Sequence, residues 1–274
     1  MRLGVVLPNE AAGADPRDIA RLAQRADALG YWSAWLPDHL LPPAPFGDVY
    51  GGVYEPLTLL AHISALTERI TLGTSVLILP LREPVLLAKQ LATLERVAPG
   101  RVILGVGVGW DRDEFAALEV PFTERGARAD ELIELIAHLH AAGEGGFGGR
   151  FHHVGDGVFA PRPSTRVPLM VGGTSDAALR RAARVGDLWQ AYGVTPAQFR
   201  ALHTRLRAMA GERTVAAGTI ISAPPNRDAS QLAADVEAWR AAGAEHLAVH
   251  PGALDGAAER LSSLAERVPE LLVR

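Results

Sequence analysis

The chain has no cysteine, which excludes disulfides, thiolate nucleophiles and cysteine-ligated metals. Lysine is nearly absent too. Lys89 is the only one, and it falls inside a predicted helix, away from any strand end, which argues against Schiff-base chemistry. No apolar run is long enough to span a bilayer. The formal charge of −4 provides no basic face for nucleic acid. Neither a basic n-region nor an apolar h-region precedes the first strand, so a cytoplasmic location is expected.

What is present is an ordinary globular mixture, 48% apolar and 21% charged over 274 residues. That length suits one barrel-sized domain spanning 1–274. Strand-like and helical segments alternate. The strands are expected at Leu3–Leu7, Trp32–Leu36, Ile70–Leu77, Val102–Val106, Leu169–Val171, Leu188–Tyr192, Val215–Ser222 and His246–His250. Between them the apolar spacing predicts helices. Asp15 and Pro16 cap and open the first and Gly30 closes it. Others begin near Pro56, Pro84, Gly126, Asp176, Pro196, Ala229 and Gly256. Eight strand–helix units in strict alternation imply a parallel α/β sheet closed into a (β/α)8 TIM barrel with insertion loops.

Two connections exceed a simple link. Leu40–Glu55 follows a strand and reads as a lid on the catalytic face. Gly143–Val167 holds Phe151–Val154, a Gly155-Asp156-Gly157 turn and Val158–Ala160, the pattern of a short hairpin.

In such a barrel the chemistry sits at the carboxyl ends of the strands. Those ends carry Pro8-Asn9, Asp38-His39, Gly73-Thr74-Ser75, Gly105-Val106-Gly107-Val108-Gly109-Trp110, Gly172-Gly173-Thr174-Ser175 and His250-Pro251. This rim is polar, glycine-rich and nearly uncharged. It suits a planar heteroaromatic ligand better than a divalent metal. His39 is a candidate general acid/base, with Asp38 fixing its tautomer, and His250 is the other group there titrating near neutrality. Isolated, Asp38-His39 reads sooner as a structural histidine at a strand end, with Asp38 capping the following turn. The Gly172–Ser175 segment opens a helix and offers unpaired amides, an anion site for a phosphate; the alternative is plain capping by Thr174 or Ser175.

The Gly105–Trp110 run fails as a dinucleotide fingerprint, because the third glycine would fall at Trp110. Close approach of its backbone to a flat ring is the preferred explanation, with Trp110 stacking on the ligand or packing under a lid. His138 and His140 diverge on a helix and His152 and His153 diverge on a strand, so no metal is assigned.

Taken together, the chain resembles the luciferase-like flavin monooxygenase superfamily, in its coenzyme F420-dependent branch. The resemblance rests on Trp35–Leu40, Glu55–Leu60, Thr67–Thr74, Leu104–Trp110, Pro121–Gly126, Val171–Thr174 and Ala182–Trp189, in that order and spacing. It implies a deazaflavin at the carboxyl face with its phosphate near Gly172-Gly173-Thr174. It further implies a non-proline cis peptide at Ser75-Val76 supporting the ring, and a histidine, His39, beside the reactive carbon. The activity implied is hydride transfer between coenzyme F420 and a small organic substrate, by a homodimer packed through early helices. Two departures stand out. Leu188 replaces a usual glycine, and Trp110 stands where relatives acting on sugar phosphates carry an acid. An apolar or aromatic substrate, met by Trp110, Tyr50, Tyr54 and Phe46, is therefore expected. The rivals are a monooxygenase using reduced FMN, oxygen and a separate reductase, and a non-catalytic flavin-binding protein. A phosphate-binding isomerase barrel is a further alternative, although this chain has no evident catalytic glutamate at a strand end.

Overall fold

The structure is a computed structural model that describes residues 1–11, 13–43 and 53–273. Its principal sheet comprises β1 (Arg2–Val6), β2 (Ser33–Leu36), β3 (Thr71–Thr74), β4 (Leu77–Ile78), β5 (Val102–Gly107), β8 (Leu169–Gly172), β9 (Leu188–Ala191), β10 (Ala216–Ser222) and β11 (His246–His250). Every pairing in it is parallel. Pairing of both β3 and β4 with β5 closes the sheet, so β3 and β4 are two pieces of one stave in an eight-stave barrel. The expected third strand is thus split at a cis Ser75–Val76 peptide, where the resemblance had put one.

Helices return the chain between staves, and several begin where their capping residues dictate. Asp15 caps Pro16–Leu29, Ser175 caps Asp176–Val185, and Thr195 and Asp228 form reciprocal capping boxes with Gln198 and Gln231. The main apolar core lies between the staves and these helices. Pointing the other way, Val6, Trp35, Ile103, Met170, Leu188 and Ala248 pack together inside the barrel. Leu188, at the position of the usual glycine, therefore fills interior space. Trp35 needs room there, and Gly73 supplies it, since a Cβ at Gly73 would run into the indole. Nearer the amino ends of the staves, the Arg2 guanidinium lies 3.8 Å over the Trp32 ring, beside the fully buried His246.

Two expectations need correction. The insertion hairpin pairs β6 (Phe147–Gly148) with β7 (His153–Val154), and Val158 reaches back to Glu144 instead of pairing with Phe151–Val154. The cause is a tertiary contact. The Glu131 carboxylate, on the helix Arg125–Ala142, accepts the Arg150, Phe151 and His152 amides, which makes those residues the turn. Secondly, a short helix, Arg112–Ala117, stands between β5 and the next long helix, where no element was expected.

Candidate active site

β2 delivers Pro37, Asp38 and His39 to the carboxyl rim, and both ionisable side chains are buried there. The two do not work on each other. His39 Nδ1 lies 2.9 Å from Glu114 Oε2, from the unexpected helix, while the other Glu114 oxygen accepts the amides of Leu40 at 2.7 Å and Leu41 at 3.0 Å. One carboxylate thus fixes both the ring and the chain just after it. Burial pushes the Glu114 carboxyl up, but the bonds from His39, Leu41 and Leu40 outweigh it and hold the group below the usual carboxylate range. As a carboxylate, Glu114 accepts the Nδ1–H hydrogen bond, so in the neutral imidazole the proton stays on Nδ1 and Nε2 is the accepting nitrogen. The Trp110 ring stands edge-on to His39, with centroids 5.8 Å apart.

Asp38 therefore does not set the His39 tautomer, as the sequence suggested. It accepts the Ile78 amide at 2.9 Å and is ion-paired with Arg82, whose guanidinium also reaches Glu55 Oε1 at 3.1 Å. Glu55 in turn caps the helix Pro56–Ser64. Arg82 thereby staples the residues where the 40–55 loop leaves β2 to those where it ends. Burial pushes the Asp38 carboxyl up, against the pull of Arg82.

Asn9 is wholly buried and braces the same loop. Its Nδ2 donates to the carbonyls of Pro37 at 3.2 Å and Tyr54 at 3.1 Å, while its Oδ1 is buried with no partner among the described residues. The Tyr54 hydroxyl donates to the Ala14 carbonyl. Phe46 and Tyr50 lie outside the described residues.

Thr74 is also internal, its hydroxyl donating to the Gly105 carbonyl at 2.6 Å. Ser75 Oγ donates to the Gln190 side-chain oxygen, and Gln190 Nε2 is buried with no partner among the described residues. Val76, after the cis bond, leans over the barrel mouth. A Cβ at Gly107 or at Gly172 would strike its methyl groups, and one at Gly105 would strike the Thr74 carbonyl. The Cβ side of these glycines thus faces the bulge. Gly109, with φ 77°, turns the chain against Phe115 and Ile78.

The Gly173–Ser175 segment is where the phosphate was expected. Gly173 has φ 113°, which lets the chain turn into the helix start. Ser175 Oγ takes the Ala178 amide as an N-cap, so capping is realised, and the earlier first-turn amides have no partner within the helix. Gly173 is exposed, and Trp189 Nε1 steadies its carbonyl at 2.8 Å. His250 is engaged on both nitrogens, with Nε2 2.7 Å from Glu10 Oε1 and Nδ1 accepting the Gly252 amide at 3.1 Å.

Around this mouth Trp110, Tyr192 and Leu41 are large, apolar or aromatic, and exposed. The unpartnered Gln190 amide, the rim aromatics and the exposed helix start fit a flat heteroaromatic ring with an anionic tail. Among the described residues no group of three or more His, Asp or Glu could hold a metal ion.

Comparison with known proteins agrees with this geometry. The family model for luciferase-like monooxygenases matches residues 1–271. An uncharacterized protein of Mycobacterium tuberculosis is 35% identical over 204 residues, covering 70% of each chain. An F420-dependent glucose-6-phosphate dehydrogenase of Beutenbergia cavernae is 40% identical over 176 residues, 63% of this chain and 51% of that one. Among solved structures, an F420-dependent secondary alcohol dehydrogenase in complex with an F420-acetone adduct superposes with a TM-score of 0.85 at 17% identity, covering 98% of each chain. The monooxygenase RslO1 of Streptomyces bottropensis gives 0.82 at 22% identity, covering 98% of this chain and 99% of that one.

Proposed function

This chain belongs to the luciferase-like monooxygenase family, and from that premise we propose that it is an F420-dependent oxidoreductase moving a hydride to or from a small, uncharged organic substrate. The observation that carries this reading is the buried Glu114–His39 pair at the carboxyl rim. Bound coenzyme F420 supplies a ring that gives or accepts a hydride. The protein's part is to move the accompanying proton, and His39 Nε2 does so. Glu114 holds the Nδ1 proton and stabilises the positive charge the ring carries meanwhile. Positioned proton transfer of this kind contributes about 10²–10⁴-fold in rate.

Val76, raised on its bulge and seated in the gaps left by Gly107 and Gly172, would support the ring. Gln190 Nε2 would be the donor for its polar edge, and the amides of Thr174 and Ser175 would hold the phosphate, the Gly173 amide being spent on the Gln190 carbonyl at 3.1 Å. Affinity for a phosphate there comes from several hydrogen bonds together, since the helix dipole alone is worth about 0.3–1 kcal/mol. Trp110, Tyr192 and Leu41 make the substrate side apolar, which disfavours a sugar phosphate despite the dehydrogenase relatives.

The test is equilibrium titration with F420 and with FMN, read by cofactor fluorescence, followed by a screen of secondary alcohols, ketones and sugar phosphates against the bound cofactor. Preferential F420 binding, with turnover of an uncharged alcohol or ketone, is expected. Binding of FMN alone, with oxygen consumption when it is reduced, would replace this reading with that of a flavin monooxygenase.

A further inference from the structure

A further feature that the candidate site does not use lies at the other end of the barrel. A cavity of about 680 Å³ opens between the helices Pro84–Val97, Arg125–Ala142 and Asp176–Val185 and the segment 162–167. Its lining includes Arg166 and Val167, just before β8, and Arg213, just before β10. Those positions are at the amino ends of the staves, whereas the candidate active site occupies the carboxyl ends.

The walls are apolar, built from Leu91, Leu104, Ile133, Ile136 and Leu169. Four arginines also line the space, and their partners sort them into two kinds. Arg184 is paired with Glu134 at 3.0 Å and with Asp130, and Arg166 with Asp187 at 2.8 Å. Arg162 and Arg213 instead donate to backbone carbonyls, Ala141 at 2.6 Å and Gly186 at 2.9 Å. Among the described residues, neither of these two charges meets a carboxylate.

The 162–167 wall is also held in place. The buried Glu95 carboxylate accepts the amides and hydroxyls of Ser164 and Thr165, as well as the Gly100 amide. Burial pushes that carboxyl up, but these bonds outweigh it and hold it at about 2. A rigid wall matters, because a preformed cavity spares a ligand the cost of ordering it.

From this geometry we infer a second binding site, for a small amphiphile with an apolar tail and a single carboxylate head. The volume falls in the range of about 300–1,000 Å³ usual for small-molecule sites. Apolar walls reward a tail, and two uncompensated guanidiniums at the same cavity reward an anion. A neutral hydrocarbon would leave the arginines without a counter-charge, and a compact polyanion would leave the walls wet. The site is separate from the cofactor face and does not depend on which cofactor binds there.

The probe is decanoate, titrated calorimetrically into the full chain with decanol as the uncharged control. One-to-one binding of decanoate, at least tenfold tighter than decanol, is expected. Arg162→Ala and Arg213→Ala should each weaken it about tenfold, in the range of one lost charge-assisted hydrogen bond. Ala137→Phe, from an exposed position on the cavity lining, should abolish it at an unchanged melting temperature. Absence of saturable binding would overturn the inference, as would equal affinity for decanol. Binding that survives Ala137→Phe and both arginine variants, or that F420 displaces, would also overturn it.

Discussion

Glu114 Oε2 stands 2.9 Å from His39 Nδ1, and Oε1 of the same carboxylate accepts the Leu40 and Leu41 amides. Chemistry and loop geometry are thereby joined in one buried group. Glu114→Gln keeps an acceptor for the amides but cannot carry the negative charge that favours a protonated ring. It should lose about 10²–10⁴-fold in turnover while binding F420 as well as the wild type does. Glu114→Ala should in addition loosen the loop, seen as faster proteolysis beyond Leu41. Full turnover in Glu114→Gln would return His39 to a structural role.

Arg82 links Asp38 to Glu55. Arg82→Met strands the buried Asp38 carboxylate, and breaking such a pair costs about 3–5 kcal/mol. Urea unfolding should show the loss. Asp38→Asn in the Arg82→Met background should recover part of it, because no buried charge then remains unpaired.

Val76 occupies the space opened by Gly107 and Gly172. Gly172→Ala should destabilise by about 1–3 kcal/mol through overpacking and weaken cofactor binding. Adding Val76→Ala removes the methyl group that the new Cβ meets. Stability should then recover in thermal melts although the ring keeps less support, so affinity stays low.

Stability should fall with acid in two windows. Burial, with the nearby Arg2 charge, pushes His246 down to about 4 from its ordinary 6.5. The unfolded chain therefore takes up a proton that the folded chain refuses, and stability declines as pH falls from 6.5 to 4. Glu95, held at about 2 against an ordinary 4.5, loses its contribution as pH falls from 4.5 towards 2. Denaturant midpoints measured across pH check both, with Glu95→Gln flattening only the lower window and lowering the plateau above it.

The barrel was legible because its signals are local. Asp15-Pro16, Glu83-Pro84, Ser175-Asp176 and Thr195-Pro196 announce helix starts that the structure keeps. His39 was legible from its place after β2, but its partner was not. Arg112–Ala117 has six residues, too few to display an amphipathic period. The available signal was Asp111, an N-cap three residues before Glu114, with Asp113 also in the first turn. Adjacency in sequence favoured Asp38 instead, although tertiary packing turns Asp38 toward Arg82. The hairpin register failed similarly, because Glu131, some twenty residues away, decides which amides form the turn. Gly105 and Gly107 showed that something approaches closely, without showing that it is Val76 and the Thr74 carbonyl.

The most direct measurement is a crystal structure of the F420 complex. The ring should rest on Val76 with its reactive carbon facing His39 Nε2, and the phosphate should accept the amides of Thr174 and Ser175. A ring found in any other crevice, or a tail that leaves those amides unused, would contradict the account.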